Sequence, residues 1–135
     1  MGFAKLLYRL VVLFLMLFSV AATAYGEDDL KISEMAVTTK IVRGKPIDSV
    51  HRISSTSVKS LYCFTRVVGP GDETSIKHVW FRNGAKAFEE EMPVKGKRWR
   101  VYSMKRIDQA SPGEWRVEAQ TADGKLLQKI EFRIN

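Results

Sequence analysis

Apolar residues follow two different patterns in this chain, and the change falls near residue 25. Before that point they are continuous. Residues 10–20 read Leu-Val-Val-Leu-Phe-Leu-Met-Leu-Phe-Ser-Val, interrupted only by Ser19. After it, apolar and polar residues alternate with the period of two that half-buried strands require, and turn signals recur roughly every 8 to 12 residues. The alternation predicts strands over residues 32–42, 59–68, 75–82, 85–92, 98–107, 114–122 and 126–134. Asn83-Gly84 and Asp123-Gly124 are the hairpin turns, because those residues tolerate the positive φ angles that tight turns demand. Arg43-Gly44-Lys45-Pro46 should end the first strand. Residues 47–58 carry no clear element, and 54–57 read as a Ser-rich loop. The last hairpin shows its faces best: Trp115, Val117 and Ala119 alternate with Glu114, Arg116 and Glu118. One wet face and one dry face is the signature of an antiparallel sheet. Seven or eight such strands without an amphipathic helix predict a single all-β domain over residues 31–135, a sandwich or a barrel.

The apolar run has a different meaning. Lys5 and Arg9 precede it and Ala22-Thr23-Ala24 follows it, the three-part arrangement of a secretory signal cleaved after Ala24. A spanning helix needs about 20 apolar residues, and the stretch 10–24 is only 15 residues long. Extending the run back to residue 6 would put Arg9 inside the bilayer, so the alternative of an uncleaved inner-membrane anchor over 6–24 is the weaker one. The expectation is a signal over 1–24, a short acidic linker over 25–30, and export to a periplasmic or extracellular space. Membrane contact would come only through the N-terminal segment, if it stays uncleaved.

Composition narrows this. The chain has 22 basic and 15 acidic residues, and removing Lys5 and Arg9 leaves 20 against 15. A mild basic excess suits solubility and also contact with anionic polymers or lipid head groups; nucleic acid is a poor partner for an exported chain. Cys63 is the single cysteine, so no internal disulfide staples the fold and no lipid-anchor cysteine follows the signal.

Two local patterns resemble a sandwich of immunoglobulin type. Trp80 sits in the third main strand with Cys63 on the strand before it, a pairing that marks the core of that fold. Gly113-Glu114-Trp115-Arg116-Val117 resembles the Gly-x-Tyr-x-Cys of its sixth strand, with Trp115 at the corner tyrosine and Val117 at the second cysteine. A tryptophan has no phenol oxygen, so the corner bond is not expected. A second resemblance runs through four blocks: Leu61-Tyr62-Cys63-Phe64-Thr65, His78-Val79-Trp80-Phe81-Arg82-Asn83-Gly84, Arg98-Trp99-Arg100-Val101-Tyr102-Ser103-Met104-Lys105, and Pro112-Gly113-Glu114-Trp115-Arg116-Val117. In this order they resemble a bacterial family known as domain of unknown function 2914. The resemblance extends over nearly all of the mature chain. It implies an immunoglobulin-like β-sandwich in the bacterial envelope and no activity.

The candidate chemistry is concentrated in the strand over 98–107. Arg98, Arg100, Tyr102, Met104 and Arg106 share one face, and Trp99, Val101, Ser103, Lys105 and Ile107 the other. One reading is a solvated face lying beside Glu118 or Glu114 in cross-strand pairs. The other is a ligand-binding face, with Arg98, Arg100 and Arg106 holding phosphate or carboxylate through guanidinium forks and Tyr102 stacking on a sugar or base. Glu89-Glu90-Glu91 reads as a charged edge that resists strand-to-strand aggregation, with pairing to the basic strand as an extra. His51, His78 and Cys63 would have to converge from distant strands to make a nucleophile pair or a zinc site. No third orienting group accompanies them, so a buried His78 satisfied by a carbonyl or hydroxyl is expected. Neither catalytic residues, metal ligands nor a cofactor are expected.

At least two of Trp80, Trp99 and Trp115 should be core, leaving Tyr62 or Phe64, Phe81 and Tyr102 as the exposed aromatics. The strand over 59–68 is apolar on both sides, so a loop drawn from 44–58 or a partner protein must cover one of them. These readings point to a non-enzymatic binding module, recognising an envelope protein or an anionic glycan or lipid. A purely structural membrane-tethered accessory domain is the alternative, and a small hydrolase or metal protein the least supported.

Overall fold

The computed structural model describes residues 29–108 and 111–135. The signal segment 1–24 and residues 25–28 of the linker lie outside the described residues. Ten strands form in chain order: β1 (Lys31–Thr38), β2 (Ile41–Val42), β3 (Lys45–Pro46), β4 (Arg52–Ile53), β5 (Ser60–Val68), β6 (Thr74–Arg82), β7 (Ala85–Val94), β8 (Arg98–Arg106), β9 (Gly113–Thr121) and β10 (Leu126–Ile134). Seven long strands coincide with those the alternation predicts. The three two-residue strands raise the count above the seven or eight expected, and each has a local cause.

The expected strand over 32–42 stops at Thr38 because Asp48 captures the chain there. Its carboxylate accepts the Thr38 hydroxyl (2.5 Å), the Thr39 hydroxyl (2.5 Å) and the Thr39 amide (2.8 Å). Arg43 and Gly44 then take positive φ angles of 53° and 73°. Two consecutive left-handed residues make a two-residue hairpin turn, so β2 and β3 pair where the sequence suggested a break. β4 has a different origin. It pairs in parallel with the end of β10 and is the exception in an otherwise antiparallel fold.

The long strands form two sheets, in the orders β1-β5-β8 and β4-β10-β9-β6-β7. Residues 50–55 lace them together along one side. The Val50 amide donates to the Val37 carbonyl in the first sheet (2.7 Å). The His51 and Ile53 carbonyls accept from Arg133 and Asn135 in the second (2.9 and 2.8 Å). The result is a β-sandwich of immunoglobulin-like form, whose inner faces meet in two apolar clusters.

The larger cluster holds Cys63, Trp80, Trp115, Val117 and Phe132, all buried. Trp80 meets Trp115 and Phe132 edge-to-face at 6.4 and 6.1 Å between centroids, the geometry aromatic quadrupoles favour. Cys63 and Val117 have no exposed surface and belong to this cluster, so apolar packing stands where an immunoglobulin disulfide would lie. The corner bond is made after all. Trp115 Nε1 donates to the Ser111 carbonyl at 2.7 Å, four residues upstream. An indole N–H thus stands in for the phenol O–H that a tyrosine would supply.

A polar bridge spans the core beside this cluster. His78 on β6 is fully buried, with Nε2 2.9 Å from Thr65 Oγ1 on β5 and Nδ1 2.8 Å from Ser103 Oγ on β8. Ser103 Oγ also accepts the Trp80 indole N–H at 3.0 Å. The hydroxyl partners expected for a buried His78 are therefore both on the opposite sheet. Burial pushes the imidazole pKa down to about 3, so it is neutral.

Candidate anion-binding groove

β8 is an edge strand of the three-stranded sheet, and its alternation places Arg98, Arg100, Tyr102, Met104 and Arg106 on the outer face. Register with β5 decides what each one meets. Arg98 lies opposite Val68, Arg100 opposite Arg66, Tyr102 opposite Phe64, Met104 opposite Tyr62 and Arg106 opposite Ser60. Arg66, Arg98 and Arg100 converge with Trp99 around an open groove of about 480 Å³. Among the described residues, the only carboxylate within 4 Å of these guanidinium groups is Glu34 on β1, 3.6 Å from Arg66.

Trp99 is half-buried and packs against the smaller apolar cluster. Gly96 makes room for it, since a Cβ there would come 3.2 Å from Trp99 Cε3. The hairpin of β2 and β3 reaches the other side of the groove. A Cβ on Gly44 would lie 3.5 Å from Arg100 Nη1, and exposed Arg43 and Lys45 flank that glycine.

This arrangement revises several expectations. Tyr102 and Arg106 do not line the groove. Tyr102 lies edge-to-face against Tyr62 at 6.2 Å. Arg106 is six residues beyond Arg100, about 20 Å along an extended strand. Glu114 and Glu118 cannot pair with β8, because both sit on β9 in the other sheet. There Glu114 pairs with Arg133 and Glu118 with Arg116. Phe64 is not an exposed aromatic; it points outward yet has no exposed surface. The β2–β3 hairpin leaves β1 beside Thr38, opposite Tyr62, and its tip at Gly44 comes near Arg100 Nη1.

Most charges on the outer face of the five-stranded sheet meet a partner: Lys77 and Lys86 share Glu89, Arg116 pairs with Glu118, Lys129 with Glu131 and Arg133 with Glu114, while exposed Arg52 beside Arg133 stands outside these pairs. Glu89 sits on β7, an edge strand, with its carboxyl held below the ordinary range by hydrogen bonds from Lys86 and Lys77. Exposed Glu90 and Glu91 complete a charged edge of the kind that discourages pairing with another chain. None of this acid reaches β8. Arg98, Arg100 and Arg106 have no carboxylate within 4 Å among the described residues.

Cys63 and His78 form no reactive pair. Burial pushes the Cys63 thiol pKa up, and both His78 nitrogens face hydroxyls. No group of three His, Cys, Asp or Glu gathers as a metal site among the described residues.

Similarity to known proteins follows the same outline. Residues 73–134 match the family Protein of unknown function (DUF2914). This is the family that the four sequence blocks resemble. The match runs from just before β6 to the end of β10, so it takes in three of the blocks and leaves Leu61–Thr65 outside. The family match therefore includes Arg98, Trp99 and Arg100 but stops short of Arg66, Glu34 and the hairpin.

Among solved structures, an immunoglobulin-like protein from Pseudomonas aeruginosa aligns over 85% of this chain and 100% of its own, at 13% identity and a TM-score of 0.52. That likeness supports the fold alone. A β-glucosidase from Kluyveromyces marxianus aligns over 79% of this chain and 14% of its own, at 14% identity; its TM-score of 0.47 carries no argument. No curated protein matches the chain.

Proposed function

We propose that this protein is an exported, non-enzymatic binding module of the bacterial cell envelope, and that the groove of Arg66, Arg98, Trp99 and Arg100 takes an anionic group of a glycan, a lipid head group or an envelope protein. One observation carries the reading. Among the described residues, three guanidinium groups line one open groove with a single carboxylate within 4 Å of them, whereas Arg116 and Arg133 on the opposite sheet each pair with a glutamate. Guanidinium forks match carboxylate and phosphate oxygens two at a time, and an unpaired cationic surface steers anions toward it. Export rests on the residue 1–24 signal pattern. The half-buried Trp99 supplies the apolar surface that most small-ligand sites place beside their polar groups.

The test uses the mature chain and isolated envelope material: lipopolysaccharide, phospholipid vesicles and peptidoglycan fragments. Wild type should bind at least one of them in a salt-sensitive way. The double variant Arg98→Glu, Arg100→Glu should keep its thermal transition and lose that binding. Absence of salt-sensitive binding to all three by wild type would end the proposal.

A further inference from the structure

We infer that the groove is built for a phosphoryl group carried on a sugar. The inference rests on the anion-binding reading above and narrows it. Arg66 and Arg100 are direct cross-strand partners. Like charges in that position destabilise a sheet, so the empty groove holds a cost that a bound anion relieves. Arg98 adds a third cation two residues from Arg100 on the same face. Among the described residues, Glu34, 3.6 Å from Arg66, is the single carboxylate within 4 Å of the three. Exposed Arg43 and Lys45 at the hairpin tip add positive charge beside Arg100.

A carboxylate ligand brings one charge and two acceptor oxygens. A phosphate monoester brings about −1.5 to −2 charge near neutral pH and three strong acceptor oxygens. Three guanidinium groups less one carboxylate leave two positive charges in the groove; a phosphate monoester comes close to balancing them and brings a third oxygen for the third arginine, whereas a carboxylate does neither.

Trp99 supplies the rest. Its side chain leaves β8 on the face opposite Arg98 and Arg100, yet at this edge strand it lines the same groove, held by its packing on the core and by the absence of a Cβ at Gly96. An aromatic surface beside a phosphate site offers the apolar C–H face of a sugar ring a place to lie. The volume of about 480 Å³ falls within the roughly 300–1,000 Å³ of small-molecule sites and leaves room for a ring beyond the phosphate. A sugar phosphate occurs both free and as the head group of a phosphorylated glycolipid, and the groove is open enough to accept either.

The experiment is calorimetric titration of the mature chain at low salt with glucose 6-phosphate, glucuronate and inorganic phosphate. A parallel arm uses phosphatidylcholine vesicles carrying either monophosphoryl lipid A or phosphatidylglycerol. Glucose 6-phosphate should bind about tenfold or more tightly than either glucuronate or inorganic phosphate, as expected for added charge-assisted hydrogen bonds. Trp99→Leu, which keeps an apolar side chain in the core, should erase the advantage over inorganic phosphate and leave the thermal transition in place. Preference for lipid A vesicles over phosphatidylglycerol vesicles without binding of soluble glucose 6-phosphate would make the source lipid-borne and still support the inference.

Glucuronate binding as tightly as glucose 6-phosphate would overturn the phosphoryl assignment, and inorganic phosphate doing so would overturn the sugar. Failure of all these probes while other anionic envelope material still binds would overturn the inference alone. Failure of every anion would take the anion-binding reading with it.

Discussion

Acidification should strike this fold through one residue. His78 bridges the two sheets as a neutral ring, its nitrogens 2.9 and 2.8 Å from the Thr65 and Ser103 hydroxyls. Since Ser103 already accepts the Trp80 N–H, its own proton can go to Nδ1, with Nε2–H donated to Thr65. Protonating Nδ1 would turn it into a donor and leave the Ser103 proton without an acceptor, in a site from which water is excluded. Desolvation of the charged ring in this buried site holds the folded pKa at about 3, against 6.5 for the free side chain. The sign follows from linkage. The unfolded chain binds the proton below pH 6.5 and the folded one does not, so stability is fully present above that value and declines as pH falls toward 3.

At roughly pH 4.5, two units below the unfolded pKa, the loss is about 3 kcal/mol. Small domains total about 5–15 kcal/mol, so the effect is large. Urea unfolding followed by tryptophan fluorescence at near-neutral and mildly acidic pH would measure it. His78→Gln, which has no ionisable ring, should be destabilised by about 1–3 kcal/mol at neutral pH and lose most of the dependence above the carboxylate range. A wild-type stability that stays flat across this window would refute the buried neutral histidine.

Other expectations follow from single contacts. Trp115→Phe removes the indole donor to Ser111 and should cost about 2–3 kcal/mol from the lost bond and the lost volume, read by the same unfolding assay. Gly113 has a φ of 143°, and a Cβ there would lie 2.8 Å from Asn83 Oδ1, which accepts the Glu114 amide. Gly113→Ala should therefore cost about 2 kcal/mol and disturb the Asn83 amide in NMR spectra. Asp48→Ala frees the hairpin of β2 and β3 by removing three acceptor contacts. Faster amide hydrogen exchange over residues 39–47 than over β5 is the expected result; unchanged protection there would show that the carboxylate does not hold the hairpin.

The sandwich was legible in the sequence because its long strands are two-residue alternations bounded by Gly, Pro and Asn-Gly signals. Trp80 and Cys63 marked the core for the same reason. What escaped was non-local. Arg66 lies on the outward set of its strand, but only the pairing of β5 with β8, more than 30 residues apart in sequence, sets it opposite Arg100. Glu114 and Glu118 looked like partners for β8 until topology put them in the other sheet. The hairpin at Arg43-Gly44 was hidden because arginine seldom takes a positive φ, and nothing local announces that Asp48 will tie the chain back to Thr38 and Thr39. Tyr102 and Arg106 share a face with Arg100, yet strand length alone separates Arg106 from the groove.

The central claim is that anions bind at Arg66, Arg98, Trp99 and Arg100. An NMR titration of the labelled mature chain with tripolyphosphate tests it most directly. The account predicts saturable shifts in the guanidinium Nε–H signals of Arg66, Arg98 and Arg100 and in the Trp99 indole, with Arg116 and Arg133 on the paired face unmoved. Shifts centred on Arg116 and Arg133, or none at all, would contradict it.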